Sequence, residues 1–284
     1  MDADETCLCY VVPECLLRNP TFKKRFRDKA FRKRIIVNIV DEIHVIEAWK
    51  KEFRKDYGEL KTIKIIAGTE IPWAGFSATL PTLTFEDIYI SLGFGENRPF
   101  WGIDLGADQP NLMQWVRPME YAANSLAALF AFLPVDPASA KDFDKSIFYF
   151  PSCCFARRAC NLIRALALEH LRKCFYAFTA IYSEEYKETV MEWFHQRQVQ
   201  WLFCMDAAGM GCDIPDIVWA IVYGMQEMCT AFQKGGRAGR RSDIAAKMVW
   251  LVEDWAFNKP ADYQATSAKA KNEEERCTKM DPAS

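Results

Sequence analysis

Two short, nearly continuous apolar runs, Ile35-Ile36-Val37-Asn38-Ile39-Val40 and Val199 to Met205, each stop at an aspartate. Runs of this length, rich in β-branched or aromatic residues and without polar alternation, read as strands buried on both faces of a parallel sheet. An acidic loop at the carboxyl end of such a strand is where open α/β sheets present their chemistry. The chain has 284 residues, 50% of them apolar, which is enough for two ordinary cores. The fold class expected is therefore α/β, as two lobes with parallel sheets.

The pattern along the chain fills in that expectation. Cys7 to Val12 reads as a short strand, and Pro13-Glu14 opens a helix through Leu17 that breaks near Asn19-Pro20. A basic helix follows, with eight Lys or Arg between Lys23 and Arg34. Trp49, Phe53 and Tyr57 recur every four residues and share one helical face. A short strand leads into Phe76-Ser77-Ala78-Thr79, and a helix across Phe85 to Leu92 closes at Gly93. Glycines and prolines then break the alternation up to Lys145, which places the domain junction there. A second α/β run has strands at Ser146 to Phe150, Val199 to Met205, Ile217 to Tyr223 and Lys247 to Val252. Its helices run from Phe150 through about Leu171 and onward from a cap at Ser183. The domains expected are a first lobe over 1–100, an interlobe linker over 101–144, a second lobe over 145–258 and a disordered polar tail over 259–284.

Charge and cysteine usage exclude several classes. With a net charge of −2, any nucleic-acid contact must rest on locally grouped cations; the basic run is one such group, although a solvated helix face is its plainer reading. Eleven cysteines include no C-x-x-C pair, and His44, His170 and His195 lie far apart, so no zinc site is expected. Cys153, Cys154, Cys160, Cys204 and Cys229 fall in apolar runs, as reduced thiols of a nuclear or cytoplasmic protein do. Without an eighteen-residue apolar stretch or a basic leader, neither a membrane-bound nor a secreted protein is expected.

Three segments carry candidate chemistry. Asp41-Glu42-Ile43-His44 ends the first buried strand, where Asp41 would hold Mg²⁺ through water and Glu42 would polarise an attacking water. Met205-Asp206-Ala207-Ala208-Gly209-Met210-Gly211-Cys212-Asp213 ends another, its glycines allowing close backbone approach. Gln233-Lys234-Gly235-Gly236-Arg237-Ala238-Gly239-Arg240 sets a glutamine and two arginines at the spacing used to reach a nucleotide's phosphates, with Arg237 and Arg240 as candidate arginine fingers.

Together and in order, these segments resemble the superfamily-two helicases, and RecQ-like DNA helicases of fungal type in particular, from about Val11 to Phe257. Val12-Pro13-Glu14 is similar to the family's S/T-P-E nucleic-acid contact, Asp41 to His44 to its DEAH motif, and Ser77-Ala78-Thr79 to its S-A-T coupling motif. Asp108-Gln109-Pro110-Asn111 resembles the D-R-P-N junction. The resemblance implies two RecA-like lobes sandwiching ATP and driving 3′-to-5′ movement on single-stranded or partly duplex DNA, in recombination and repair. It implies catalytic roles for Asp41, Glu42, His44, Gln233, Arg237 and Arg240, with His44 linking the site to the neighbouring lobe. ATP and Mg²⁺ would be met by Asp41, Gly211, Asp213, Arg237 and Arg240, and DNA by Pro13, Glu14, Trp49, Phe53 and Arg54.

Two departures matter. Trp49-Lys50-Lys51-Glu52-Phe53-Arg54-Lys55-Asp56-Tyr57 keeps the aromatics and arginine of the family's W-G-H-D-F-R-P-x-Y loop but not its Gly, His and Pro. Nor does the chain contain G-x-x-x-x-G-K-[ST], the loop whose backbone N–H groups and lysine cradle nucleotide phosphates; its first glycine is Gly58. The expectation is a truncated RecQ-like helicase with an incomplete first lobe and little ATPase activity. A non-catalytic remnant that binds nucleic acid or a protein partner is the alternative, and a gene-model fragment whose start lies upstream is a third reading.

Overall fold

The computed structural model describes residues 7–44, 60–68, 70–96, 98–106, 108–205 and 214–257, without the side chains at 13, 14, 60, 61 and 66. Two compact units emerge, Met1–Ala107 and Asp108–Ser284. Among the described residues no helix is long and apolar enough to cross a membrane.

The first unit begins with α1 (Pro13–Arg18), α2 (Pro20–Arg27) and α3 (Lys29–Arg32). Proline at the first helical position suits α1 and α2, since the missing N–H would have no intrahelical partner there. The basic run forms two helices rather than the single one expected, because Asp28 is extended and its carboxylate caps α3 by accepting from Ala30 N–H at 2.9 Å. Cys7 to Val12, expected as a strand, has no ladder partner among the described residues.

Next come β1 (Asn38–Val40), α4 (Leu60–Ala67), β2 (Trp73–Gly75) and α5 (Thr82–Ser91). Strands β1 and β2 are parallel, with Asn38, Ile39 and Val40 opposite Trp73, Ala74 and Gly75. The expected strand from Ile35 is therefore halved, and it is not buried on both faces: Ile36 is 70% and Ile39 53% exposed. One face of the pair builds a core of Ile43, Ile63, Ile88 and Leu92 with Leu16, Leu17, Val40 and Trp73. Nothing among the described residues covers Ile39 to the same degree.

The second unit is a six-stranded, all-parallel sheet. In chain order its strands are β3 (Leu112–Pro118), β4 (Ser146–Tyr149), β5 (Phe175–Phe178), β6 (Trp201–Cys204), β7 (Trp219–Tyr223) and β8 (Ala246–Val252). In space they run β3-β8-β7-β4-β6-β5. Three helices cross over between them: α6 (Cys153–Leu166), α7 (Glu184–His195) and α8 (Met228–Gly235). Side chains alternate between two cores; Ile147 and Tyr149 enter one with Val190, Phe194 and Ala231, while Phe148 and Phe150 enter the other with Ala159 and Ile163. Burial on both faces is what lets this sheet be parallel throughout. Ser152 and Ser183 cap α6 and α7 through their hydroxyls, Ser183 as expected.

Two expectations change here. The segment 101–144 is not a linker throughout: β3 pairs with β8 over seven residues, and Leu126, Leu129 and Phe143 are buried in the second core. The helix expected to reach about Leu171 ends as an α-helix at Leu166; Leu171 lies in a separate 3-10 turn over Glu169–Cys174, and β5 follows that. The tail over 259–284 lies outside the described residues.

At the amino end of β4, Lys145 is fully buried, its Nζ 2.7 Å from Asp216 Oδ1 and 4.7 Å from the Phe194 ring centroid. Arg197 reaches the other oxygen of Asp216 at 2.7 Å. Burial pulls the Lys145 ammonium below its ordinary value against the opposing pull of Asp216. Burial pushes Asp216 up, but the hydrogen bond and charge of Lys145, joined by Arg197, outweigh it and hold the carboxyl below the usual carboxylate range.

Candidate nucleotide and coupling site

Because β1 and β2 are parallel neighbours, the loops that leave their carboxyl ends, Asp41–His44 and Phe76–Thr79, start side by side. Backbone bonds lace them together: Phe76 N–H donates to Val40 O and Ile43 N–H to Phe76 O, both at 2.9 Å. Ile43 is buried against Gly75, where an added Cβ would come within 2.3 Å of Ile43 Cδ1 and force that side chain to shift.

This lacing joins two predicted motifs. His44 Nδ1 lies 2.7 Å from Ser77 Oγ and 3.2 Å from Glu42 Oε2. Ser77 Oγ donates to Thr79 O at 2.8 Å and accepts from Thr79 N–H at 3.2 Å. With its one proton spent on Thr79, Ser77 meets His44 as an acceptor, which assigns the ring proton to His44 Nδ1. The resemblance assigned His44 a link to the neighbouring lobe; the bond seen is to Ser77 within its own unit. Asp41 and Glu42 are exposed, and Asp41 Oδ1 accepts from Glu42 N–H at 3.0 Å. Glu42 has φ +49°, a left-handed conformation unusual for a residue with a Cβ.

In the second unit, α8 carries Gln233, and the turn after it carries Arg237, half-buried, and Arg240, exposed. Gly239 N–H donates to Ile217 O at 3.1 Å and Arg241 N–H to Pro215 O at 3.3 Å. Gly239 has φ +68°, and a Cβ there would lie 2.9 Å from Ala246 Cβ and 3.0 Å from Asn111 Nδ2. Only glycine fits between the arginines.

Asn111 is the residue that sequence reasoning left out of the site. Its Nδ2 donates to Gly239 O at 2.7 Å and lies 3.0 Å from both Arg241 O and Ile244 O, while its backbone carbonyl accepts from Ala246 N–H at 2.8 Å. Two amide protons thus serve three carbonyls of the arginine-bearing turn. The signal was present in the D-x-P-N spelling.

Other predicted site residues meet the structure unevenly. Pro13 and Glu14 open α1, whose cap position is Val12; lacking the hydroxyl of S/T-P-E, Val12 makes no side-chain cap. Trp49, Phe53, Arg54, Asp206, Gly211 and Asp213 lie outside the described residues. Ala78 is exposed, and Ser77 and Thr79 are half-buried. For ATP and Mg²⁺ the fit, taken unit by unit, is partial: in the first unit Asp41 keeps Oδ2 for a water-bridged cation, in the second the arginines suit a phosphate, and these 284 residues contain no G-x-x-x-x-G-K-[ST] loop. No hydrolytic step is derived through them.

The arginine-bearing turn of the second unit and, in the first, the acidic loop laced to an S-A-T loop are the features on which the resemblance to superfamily-two helicases rests. Residues 128–242 match the family model described as the helicase conserved C-terminal domain. Solved structures share the fold: Mss116p bound to single-stranded RNA and AMP-PNP has a TM-score of 0.60 at 17% identity, covering 85% of this chain and 47% of that one. The helicase MrfA bound to DNA has a TM-score of 0.58 at 16% identity, covering 96% of this chain and 35% of that one.

Among such helicases the chain is similar to RecQ-like ones. It is 26% identical to mouse ATP-dependent DNA helicase Q1, over 82% of this chain and 34% of the relative. It is 29% identical to the mouse bifunctional 3′-5′ exonuclease/ATP-dependent helicase WRN, over 76% of this chain and 15% of the relative. The chain spans about a third of the length of the first curated relatives it matches.

Proposed function

We propose that the chain carries working parts of an ATP-dependent 3′-to-5′ DNA helicase, and that these 284 residues alone turn over ATP little or not at all. The observation that carries the reading is the 2.7 Å contact of His44 with Ser77, which ties a loop bearing Asp41 and Glu42 to the S-A-T loop. A motor needs such a connection, so that charge neutralised at a phosphate is felt elsewhere in the lobe. Asp41 would hold Mg²⁺ through water, Glu42 would aim the nucleophile, and Gln233, Arg237 and Arg240 would face the phosphates. Gly211 and Asp213 would complete that side, and Pro13, Glu14, Trp49, Phe53 and Arg54 would contact DNA.

The absence of G-x-x-x-x-G-K-[ST] sets the limit on activity: no lysine or N–H cradle neutralises the β- and γ-phosphates. The test is a coupled ATPase assay on the whole chain with and without single-stranded DNA. The expected turnover lies at least a hundredfold below the roughly 1 s⁻¹ at which ordinary enzymes begin. DNA-stimulated hydrolysis at about 1 s⁻¹ or faster would overturn the proposal. A nuclear or cytoplasmic setting, and a role in recombination or repair, go with the helicase reading. The same absence favours the second reading, a binding module without catalysis, for which DNA affinity would be indifferent to ATP.

A further inference from the structure

We propose that α2 and α3 form a phosphate-backbone-binding face for nucleic acid, separate from the helicase motifs and working without ATP. Between Pro20 and Val40 the only acid is Asp28, whose Oδ1 is already engaged at Ala30 N–H. Of the eight cations in this stretch, Arg32 has an ion pair, with Glu70 at 3.5 Å. Lys23, Lys24, Arg25, Arg27, Lys29, Lys33 and Arg34 have no ion pair with any described residue, and all but the half-buried Lys23 are exposed. In a chain of net charge −2, seven cations without an ion pair to any described residue, along two consecutive helices that hold a single acid, concentrate positive charge locally.

The apolar side of these helices explains why the cations face out. Phe22, Phe26 and Phe31 are half-buried, and Phe26 meets Phe31 edge-to-face at 5.7 Å, locking α3 to α2, while α2 rests against α1 and α4. With the phenylalanines turned into the unit, the cationic side has no apolar stripe to sink into lipid, as a membrane-surface helix requires. Nor does it have the aromatic or aliphatic centre on which a protein interface is built. It offers closely spaced point charges and forked donors, which suit a polymer of phosphates. The eight residues of α2 extend over roughly 12 Å at helical rise, a length along which duplex DNA carries about seven charges.

Fluorescence anisotropy of the whole chain without nucleotide tests the proposal, using a labelled oligothymidylate of about 20 nucleotides and a duplex of equal length. Salt is varied between about 50 and 200 mM. The triple variant Lys24→Glu, Arg27→Glu, Lys33→Glu is compared with Lys141→Glu, Arg172→Glu, Lys173→Glu, three exposed cations of the second unit. Both variants change net charge equally. Reversing the α2–α3 cations is expected to weaken binding at least tenfold and to flatten the log–log salt slope by roughly 2 to 3, since each phosphate contact contributes about 0.7 to 0.9. The control is expected to lose less than about threefold. Equal loss in both variants, an unchanged slope or no binding at the lowest salt would overturn the proposal, as would preferential capture by phosphatidylserine vesicles. The glutamine versions of the three α2–α3 changes, checked by circular dichroism, must show an intermediate loss; full affinity in a folded glutamine variant counts against the face. With nucleotide left out, failure of the ATP-site reading leaves this result standing, and the reverse holds too.

Discussion

His44 Nδ1 faces two oxygens, Ser77 Oγ and Glu42 Oε2, and the identity of its ring proton follows from the first. Ser77 spends its hydroxyl proton on Thr79 O, so His44 must donate from Nδ1, and the donated proton is shared with Glu42 3.2 Å away. Imidazole ¹⁵N shifts of His44 are expected to report a protonated Nδ1 near neutral pH. In Ser77→Ala that preference should weaken, with a stability loss of about 1 to 2 kcal/mol from the stranded donor. An unprotonated Nδ1 in the wild-type chain would contradict the assigned bond direction. The letters of D-E-x-H and S-A-T were readable from the chain, because they follow strand-like runs. Their direct contact was not, since it joins residues 33 apart and depends on β1 and β2 pairing in parallel.

At the scale of the element, the turn between α8 and β8 depends on a side chain far away in sequence. Asn111 is 128 to 133 residues from the three carbonyls it serves. Asn111→Ala should cost roughly 1 to 3 kcal/mol and speed amide exchange through Gly239 to Ala246. Asn111→Asp should be worse, because a carboxylate brings negative charge to carbonyl oxygens. Exchange rates unchanged in both variants would show that the turn holds itself. Arg237 and Arg240 were legible by spacing alone; Asn111 belonged to a recognised spelling without a visible task. Strands with both faces buried, such as β6 and β7, were also legible. Strand β3 was not, because an edge strand with Met113 and Val116 more than half exposed lacks the continuous apolar pattern, and the prolines and glycines around it read as linker. The split of the basic run at Asp28 likewise escaped notice, for a cap is one residue among many cations.

Stability of the second unit as a whole should lean on the Lys145–Asp216–Arg197 group. Removing one partner of a buried pair strands the other charge: Asp216→Ala should destabilise by about 3 to 5 kcal/mol. Replacing both, as Lys145→Met with Asp216→Leu, should recover most of that loss, because desolvation of Lys145 disappears along with its counter-ion. Chemical denaturation of the three proteins measures it, and a double variant no better than Asp216→Ala would refute the account. The pH dependence has a definite sign. Asp216 titrates lower folded than unfolded, so its contribution is complete above about pH 4 and is lost as pH falls through the folded value. Lys145 also titrates lower folded, so it carries a penalty in acid that is relieved as pH rises toward about 10.4.

The pairing of β3 with β8 has a consequence for synthesis. These are the first and last strands of the unit, yet they lie in register over seven residues, and β8 also supplies the far neighbour of β7. A nascent chain that has not yet released Val252 from the ribosome holds β3 with nowhere to dock and β7 with one ladder open. Assembly of this sheet is thus a late, near-simultaneous closure rather than a strand-by-strand accretion. A stalled nascent chain whose Ala246–Val252 is still inside the ribosome should be protease-sensitive, and one stalled far enough downstream to have released that strand should be resistant.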